Sequence, residues 1–352
     1  MIGKALQNWQ SIGTKLFIIG VFTLLTGGCS QHQNLPTAIE DYHQRLARVL
    51  DTETLNVEFL ANLPFPTKSD VYRQPQPISF NFREFYSLPN CRLNTLIAER
   101  NTGLGKTQLP SQRFIYETDM LAALNDCIEI SEDEKIKNKL GEVLQEKQKQ
   151  YADSYANLMQ SSDEVTLSFA HASGFVSGDP SDGLHQTQIA LQYLLKLNNL
   201  NLQEASVDGA QLEASLKDLI QFRLVARMWR SQQLITQWFE AITPWLENHT
   251  AELICTNRSD RETLQYLNNV FMLYFVEEIQ PIAGQLNNYH YKLLPALQSF
   301  SNNVQLDPEW RGSIITHISN QHQNYKQAMQ NHIVVWQTLL KRCGMSPTVP
   351  KT

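Results

Sequence analysis

The sequence predicts an all-α protein, an elongated multi-helix bundle with a proline-rich extended segment and two disulfides. Apolar residues recur at three- and four-residue spacing along most of the chain, which places them on one face of a helix. Residues 62–89 interrupt that pattern with five prolines, and each proline fixes φ and removes a backbone donor. Four cysteines follow residue 29, and an even number in an oxidising compartment favours disulfides.

The beginning of the chain resembles a bacterial lipoprotein export signal that ends at Cys29. Lys4 and Lys15 supply positive charge, residues 16–25 form an apolar core, and small residues precede the cysteine. The core is shorter than the roughly 20 apolar residues that cross a bilayer, which disfavours a retained membrane helix. Thr26 stands where the lipobox pattern places leucine, so the alternative is an ordinary cleaved signal with an incidental cysteine.

The resemblance implies acyl chains on Cys29 that hold the protein at a membrane, because each buried CH₂ contributes about 0.8 kcal/mol. Ser30 rather than aspartate follows the cysteine, which implies sorting to the outer membrane with the domain facing the periplasm. The predicted organisation is a lipoprotein signal peptide at 1–28, a lipidated tether at 29–36, a helical domain at 37–342 with a candidate subdomain boundary at 171–183, and a tail at 343–352.

The charge balance disfavours nucleic acid as a partner. The full chain has a net charge of −6, and removal of residues 1–28 takes away two lysines and no acid, which changes the net charge to −8. Domains that bind a phosphate backbone usually carry a basic field instead. Residues 105–107 (Gly-Lys-Thr) copy the end of a phosphate-binding loop, but Arg100 occupies the position of its first glycine. We therefore expect neither nucleotide nor any other cofactor.

The cysteines Cys91, Cys127, Cys255 and Cys343 allow three pairings. One predicted helix starts near Cys91, and a second helix of similar length ends near Cys127. Packed as an antiparallel hairpin, the two helices bring these cysteines together at the open end. The favoured pairing is therefore Cys91–Cys127 with Cys255–Cys343, the second of which would clasp the end of the last helix to a loop. Zinc ligation is disfavoured because no C-x-x-C spacing occurs.

Helical periodicity is expected nearly throughout the mature chain. The predicted helices span residues 37–51, 89–102, 111–127, 133–160, 184–199, 208–248, 260–284, 286–300 and 308–342. Alternation of apolar and polar residues at 78–82 permits one short strand-like piece. The glycine-rich segment 171–183 interrupts the periodicity and predicts a loop.

Residues 91–106 and 110–117 resemble the signature of an uncharacterised bacterial lipoprotein family, domain of unknown function 3080. The matching positions are Leu96, Ala98, Glu99, Arg100, Asn101, Leu104, Gly105, Ser111, Gln112, Arg113, Tyr116 and Glu117. Looser likeness extends over most of the mature chain, and the family carries no assigned activity. Within this signature Glu99, Arg100, Asn101 and Arg113 surround the hairpin turn, where they could bond the loop backbone or face a ligand.

A second group of candidate binding residues lies on predicted core faces. The apolar stripe of the helix at 208–248 is continued by Arg223, Arg227 and Arg230, which we call the arginine stripe. The apolar stripe of the helix at 260–284 is continued by Glu278. Unpaired buried charge is costly. The alternatives are an internal ion-pair network, arginines that reach into a solvated groove, and a binding site for an anionic ligand.

Motifs for catalysis are missing from the sequence: it contains no G-x-S-x-G, H-E-x-x-H or calcium-loop pattern. His317 and His322 are five residues apart, which separates them on a helix. No catalytic residue and no metal site is predicted. The leading hypothesis is a non-catalytic envelope lipoprotein that binds a protein partner or a cell-wall component. The alternatives are a periplasmic enzyme, with its site in the arginine-lined groove or in the 171–185 loop, and a carrier of an apolar molecule.

Overall fold

The computed structural model describes residues 34–59, 63–76, 88, 90–103, 107–201 and 207–345. Throughout these residues the regular secondary structure is helical and contains no strand, so the all-α prediction is confirmed. Cys29, residues 78–82 and the end of the predicted C-terminal tail lie outside the described residues. None of the described helices is both long enough and apolar enough to span a bilayer.

The helices are numbered here in chain order. They are α1 (Leu35–Val49), α2 (Lys68–Val71), α3 (Arg92–Arg100), α4 (Pro110–Ile130), α5 (Glu134–Ser161), α6 (Asp163–Ala170), α7 (Leu184–Asn198), α8 (Gly209–Phe222), α9 (Leu224–Thr250), α10 (Arg258–Val270, Phe271–Ile279 and Gln280–Asn302) and α11 (Pro308–Ile315, Thr316–Gln321 and His322–Arg342). The middle stretch of α10 and of α11 is π-helical. The 3₁₀ turn Pro180–Asp182 lies in the predicted glycine-rich loop.

Helix α1 begins two residues before the predicted start at residue 37. The side chain of Asn34 caps it by accepting a hydrogen bond from the backbone N–H of Thr37, and Pro36 lies in its first turn. Both residues are typical of a helix start, because the first N–H groups have no partner within the helix.

The prediction of one helix over 208–248 is wrong, because the chain breaks at Arg223 between α8 and α9. Arg223 has φ 45° and ψ 35°, a left-handed conformation that costs a non-glycine residue roughly 1–2 kcal/mol. Its guanidinium Nε donates to the carbonyl of Ile220, which holds the turn. Phe222 packs on Gly183, whose φ is +82° and at which a Cβ would overlap the phenylalanine ring.

The prediction of two helices over 260–284 and 286–300 is also wrong, because α10 is continuous from Arg258 to Asn302. Pro281 lies inside this helix, four residues before the predicted break at 285. Proline lacks the N–H of an ordinary helical turn and its ring collides with the carbonyl four residues earlier. The π-helical stretch Phe271–Ile279 directly before it widens the helix, which lets the chain continue.

Among the residues that the structure describes, buried apolar side chains form two groups. The larger group involves nearly all helices and includes Trp229, Phe275 and Trp336. A smaller group joins α3, α4 and α5 through residues such as Leu93, Leu124 and Leu140. Helix α4 contributes to both groups from different faces, so it connects the α3–α4 hairpin to the rest of the domain.

Both predicted disulfides are confirmed. Cys91, directly before α3, bonds to Cys127 near the end of α4, with 5.8 Å between their Cα atoms. Cys255, between α9 and α10, bonds to Cys343 after α11, with 5.2 Å between the Cα atoms. Next to the second disulfide, Arg342 donates to the carbonyls of Thr250 and Ala251, which caps the C-terminal end of α9.

Candidate ligand-binding site

Helices α3, α4 and α5 border, together with the extended residues 72–76, a half-open cavity of about 540 Å³ that we call the hairpin cavity. Its lining is mixed in polarity and consists of Tyr72, Gln74, Pro75, Gln76, Ile97, Arg100, Asn101, Gln108, Pro110, Arg113, Tyr116, Met120, Val143, Lys147, Ser154 and Asn157. The charged members of this described lining are Arg100, Arg113 and Lys147, all of them cationic. The described part of the lining therefore contains cationic side chains and no carboxylate.

The N-terminal end of α4 opens into the hairpin cavity. Pro110, its first residue, lines the cavity, and the preceding Leu109 provides no side-chain cap. The first N–H groups of a helix have no intrahelical acceptor, and the helix dipole adds roughly half a positive charge at this end. The helix end thus places partial positive charge beside the three cationic side chains.

A buried ion-pair network lies behind the cavity wall. Lys147 of α5 donates to Glu117 Oε2 over 2.7 Å, and Arg113 contacts the other carboxylate oxygen of Glu117. The Glu117 and Lys147 side chains are only 6% and 8% exposed, whereas that of Arg113 is 24% exposed. The buried Nε of Arg113 has no hydrogen-bond partner. Glu117 therefore holds both Lys147 and Arg113 in place, while the Nε–H of Arg113 remains available as a donor.

Burial is the main cause of the pKa shifts of Arg100 and Tyr116. Burial, and then the positive charge of Arg113, lower the pKa of Arg100. Burial, and then the negative charge of Glu117, raise the pKa of Tyr116 to about 12. The guanidinium of Arg113 lies over the Tyr116 ring, 5.3 Å from its centroid. Tyr116 consequently remains a neutral hydroxyl at physiological pH.

The extended residues that form the opposite wall are held on α5 by paired hydrogen bonds. The side chain of Asn157 accepts from the Arg73 backbone N–H over 2.8 Å and donates to the Arg73 carbonyl over 2.7 Å. Gln160 donates to the carbonyl of Val71, and the Arg73 guanidinium pairs with Asp153. These contacts keep Tyr72, Gln74 and Gln76 beside the cavity although the segment has no regular structure there.

The family model described as "Protein of unknown function (DUF3080)" matches residues 39–347. The chain belongs to the DUF3080 family. No curated protein and no solved structure is significantly similar to it.

Three of the four polar residues that the sequence placed around the hairpin turn line the cavity of this DUF3080 protein: Arg100, Asn101 and Arg113. Glu99 is exposed and does not line it. Lys147 was missed, because it lies on another helix, 30 residues from its partner Glu117. The i,i+4 spacing of Arg113 and Glu117 is the signal in the sequence that could have indicated the ion pair.

The arginine stripe of the DUF3080 domain holds the loop at 171–183. Arg227 donates to the Phe175 carbonyl over 2.7 and 3.0 Å and pairs with Asp182 over 2.6 Å. Arg223 and Arg230 donate to the carbonyls of His171 and Ala172. Of the alternatives for this stripe, the structure shows an internal network in which the arginines bind loop carbonyls and one buried carboxylate.

Asp182 is the centre of that network and is 1% exposed. Besides Arg227, its carboxylate accepts from the backbone N–H groups of Ser177 and Gly178 and from the hydroxyl groups of Ser177 and Tyr289. The hydroxyl of Ser177 thus donates to a buried carboxylate.

Glu278 does not meet the arginine stripe. It is half-buried near α1, where burial, and then the charge of Asp41, raise its pKa, while Arg45 acts in the opposite direction. Arg45 pairs with Asp41 over 3.0 Å, and its guanidinium lies 4.1 Å from the centroid of the Tyr274 ring. Oε2 of Glu278 is buried without a hydrogen-bond partner.

Several histidines are buried in the interior, and His290 stacks on His322 with 3.5 Å between the ring centroids. Burial lowers the pKa of His290, His317 and His322 to about 4 each, and that of His332 to about 3. In the part of the chain that the structure describes, no group of three or more His, Cys, Asp or Glu residues could hold a metal ion.

Proposed function

We propose that this protein is a lipid-anchored lipoprotein of the bacterial cell envelope, located at the outer membrane and facing the periplasm, that binds an envelope component without catalysing a reaction. The observation that carries the binding role is the convergence of Arg100, Asn101 and Arg113, all part of the family signature, on the hairpin cavity. The export-signal pattern before Cys29 and the two disulfides support the envelope location.

Binding fits the chemistry of the cavity better than catalysis does. A general base must accept a proton near neutral pH, which carboxylates and histidines do most often. Neither a carboxylate nor a histidine belongs to the lining that the structure describes. Lys147 is held by Glu117, and the raised pKa of Tyr116 keeps its hydroxyl protonated. The groups present can donate hydrogen bonds and neutralise negative charge, which is the chemistry of a binding site.

The two other hypotheses have less support. An enzyme site in the arginine-lined groove needs arginines that face a substrate, but Arg223, Arg227 and Arg230 donate to the loop at 171–183. A carrier of an apolar molecule needs a dry apolar cavity. The hairpin cavity instead carries three cations and several amides.

Site-specific photo-crosslinking in cells tests the proposal. A photoreactive residue at Gln108, which lines the cavity, is expected to form an adduct with an envelope component that mass spectrometry identifies. The matched control places the same residue at the exposed Glu129 on α4, where that adduct should be missing. Arg100→Gln, combined with the photoreactive residue at position 108, should abolish the adduct. Equal adducts at both positions, or none at Gln108, would contradict the binding role.

A further inference from the structure

We infer that the Cys255–Cys343 disulfide is a site of thiol–disulfide exchange, at which a protein dithiol reduces the bridge while Cys91–Cys127 stays intact. The inference goes beyond the proposed binding role and does not depend on the hairpin cavity. It follows from the exposure of the two bridges, from the surroundings of the sulfur that would leave each bridge, and from the contacts that remain when the first bridge opens.

The Cys255–Cys343 bridge is accessible from solvent. Exchange begins when a thiolate reaches one sulfur of a disulfide. Cys255 and Cys343 are both half-buried, and Cys255 lines a shallow depression of the surface together with residues 251–254 and Arg342. Ile254, directly before Cys255, is 61% exposed and offers an apolar contact to a partner. A dithiol can therefore approach this bridge without prior unfolding of the domain.

The thiolate that leaves this bridge is stabilised by its surroundings. Attack on Cys343 releases Cys255, which is partly exposed to water and lies just before the start of α10. The positive end of a helix and a neighbouring arginine both stabilise a thiolate. The Nε of Arg261 donates to the backbone carbonyl of Cys255, which holds the guanidinium beside it. Asp260, an acid of the same turn, is partly compensated by the backbone N–H of Ile254, which donates to its carboxylate. A better stabilised thiolate leaves faster.

The Cys91–Cys127 bridge lacks this stabilisation. Cys127 is 0% exposed, so a thiolate reaches this bridge only at the half-buried Cys91 and must expel Cys127. Cys127 belongs to the smaller buried apolar group, together with Leu93 and Leu124. Burial in apolar surroundings destabilises a thiolate. Exchange at this bridge is therefore slower, and the α3–α4 hairpin stays closed while the other bridge opens.

Reduction of the exposed bridge proceeds through two displacements at sulfur. One thiolate of the dithiol attacks Sγ of Cys343, which forms a mixed disulfide and breaks the bond to Cys255. The released Cys255 thiolate takes up a proton from water. The second thiolate of the dithiol then attacks its own partner sulfur in the mixed disulfide, and Cys343 leaves and takes up a second proton. The chain gains two electrons and two protons, and the dithiol loses both as it becomes a disulfide.

Contacts that do not involve the bridge keep the end of α11 in place after reduction. Arg342 donates to the carbonyls of Thr250 and Ala251. Leu339 and Leu340 are 3% and 1% exposed, so the last turn of α11 is anchored in the apolar interior. We therefore expect reduction to loosen the turn after α11 and to leave the helix itself folded.

The rate of reduction of each bridge in the full chain tests the inference. The protein in a neutral detergent is mixed with excess dithiothreitol at pH 7, samples are quenched with acid and alkylated, and peptide mass spectrometry measures each bridge. Cys255–Cys343 should be reduced about tenfold faster than Cys91–Cys127. Circular dichroism, recorded in parallel, should keep its helical signal while the first bridge opens.

Two variants test the stabilised leaving thiolate. Arg261→Gln removes the cation that contacts Cys255 and should slow reduction of the exposed bridge about threefold. Arg258→Gln is the matched control in the same turn of α10. Its guanidinium pairs with Glu262 and is 93% exposed, so the rate should change less than twofold. An unchanged rate in Arg261→Gln would contradict the role of the leaving thiolate on which the inference rests.

A protein probe identifies the attacked sulfur. The probe is a purified C-x-x-C oxidoreductase whose second cysteine is replaced by serine, so that it cannot complete the second displacement. Alkylation of the released Cys255 traps the mixed disulfide, which peptide mass spectrometry should locate on Cys343. A mixed disulfide on any other cysteine, or none at all, would overturn the inference.

Equal rates at the two bridges, or loss of the helical signal at the rate at which Cys255–Cys343 opens, would also overturn it, because reduction would then follow unfolding. None of these results bears on the adduct at Gln108. Failure of the exchange site and failure of the binding role are therefore distinguishable.

Discussion

Lys147 on α5 and Glu117 on α4 form an ion pair with 2.7 Å between Nζ and Oε2, and both side chains are more than nine-tenths buried. The pair joins the two helices directly behind the hairpin cavity, and Arg113 completes it from the cavity side. Removal of one partner from such a pair leaves a buried charge without compensation, which costs more than the pair itself contributes.

Lys147→Ala should therefore lower the free energy of unfolding by about 3–5 kcal/mol. Chemical denaturation monitored by circular dichroism measures the change. Lys149→Ala is the matched control, since it removes an exposed lysine of the same helix whose partner Glu146 is also exposed, and its cost should stay below about 1 kcal/mol. Similar costs for the two variants would show that Lys147 is solvated rather than buried.

Asp182→Asn should release the loop at 171–183 from the arginine stripe. The substitution keeps the size of the side chain but removes the charge that Arg227 and two backbone N–H groups bind. We expect a loss of about 3–5 kcal/mol in unfolding free energy, with Arg227→Ala similar and the double variant less than additive. Faster hydrogen exchange at Ser177 and Gly178 reports the loop directly. Arg258→Ala, which alters an exposed pair, should leave both measurements unchanged.

The sequence predicted the fold class, both disulfides and most helices because periodicity and cysteine spacing are local or nearly local signals. It missed the break at Arg223, since a left-handed residue is normally signalled by glycine and this one is stabilised by contacts with Ile220 and His171. It placed a break at residue 285, where α10 continues. Both errors arise where tertiary packing overrides the local preference of the backbone.

The candidate site was predictable only in part. Arg100, Asn101 and Arg113 follow from the family signature and from their positions at the helix ends around one turn. The partners that complete the cavity are Lys147 and Asn157 on α5, together with the extended residues 72–76. Their approach depends on the packing of α5 against α4, which no local spacing encodes. The same limit applies to Asp182, which meets Arg227 across 45 residues.

Acidification should destabilise the protein between pH 6.5 and about 4. The buried His290, His317 and His322 have a folded-state pKa of about 4, below the unfolded value of 6.5. The unfolded chain therefore takes up protons first as the pH falls, so the stability that these histidines provide above pH 6.5 decreases through the window and is lost below about 4. Melting temperatures at half-unit pH steps measure the slope.

His317→Phe tests the origin of that slope. His317 stacks on Trp229 with 4.4 Å between the ring centroids, and phenylalanine preserves an aromatic ring there without a titratable group. The variant should show a shallower loss of melting temperature between pH 6.5 and 4. His185→Gln, at an exposed position, should keep the slope of the parent protein. An unchanged slope in His317→Phe would assign the acid sensitivity to other groups.

Cys29→Ser should abolish lipidation. If Cys29 carries acyl chains, the substitution removes the sulfur that bears them, and the protein should lose metabolic labelling with radioactive palmitate and leave the membrane fraction. Ser30→Asp is the companion variant: it should keep the label and move the protein from the outer to the inner membrane. Palmitate labelling that persists in Cys29→Ser would refute the anchor.

The two disulfides should differ in their effect on the hairpin cavity. On the loop-entropy model, the removal of either bridge as a double alanine variant costs about 4 kcal/mol. Only Cys91–Cys127 joins α3 to α4, the helices that carry Arg100 and Arg113, so its removal should also lower the yield of the Gln108 adduct severalfold at a temperature where the protein stays folded. Removal of Cys255–Cys343 should leave the adduct yield within twofold, because that bridge joins segments that do not line the cavity. Equal losses of adduct in both variants would mean that global stability, rather than the spacing of the two arginines, controls binding.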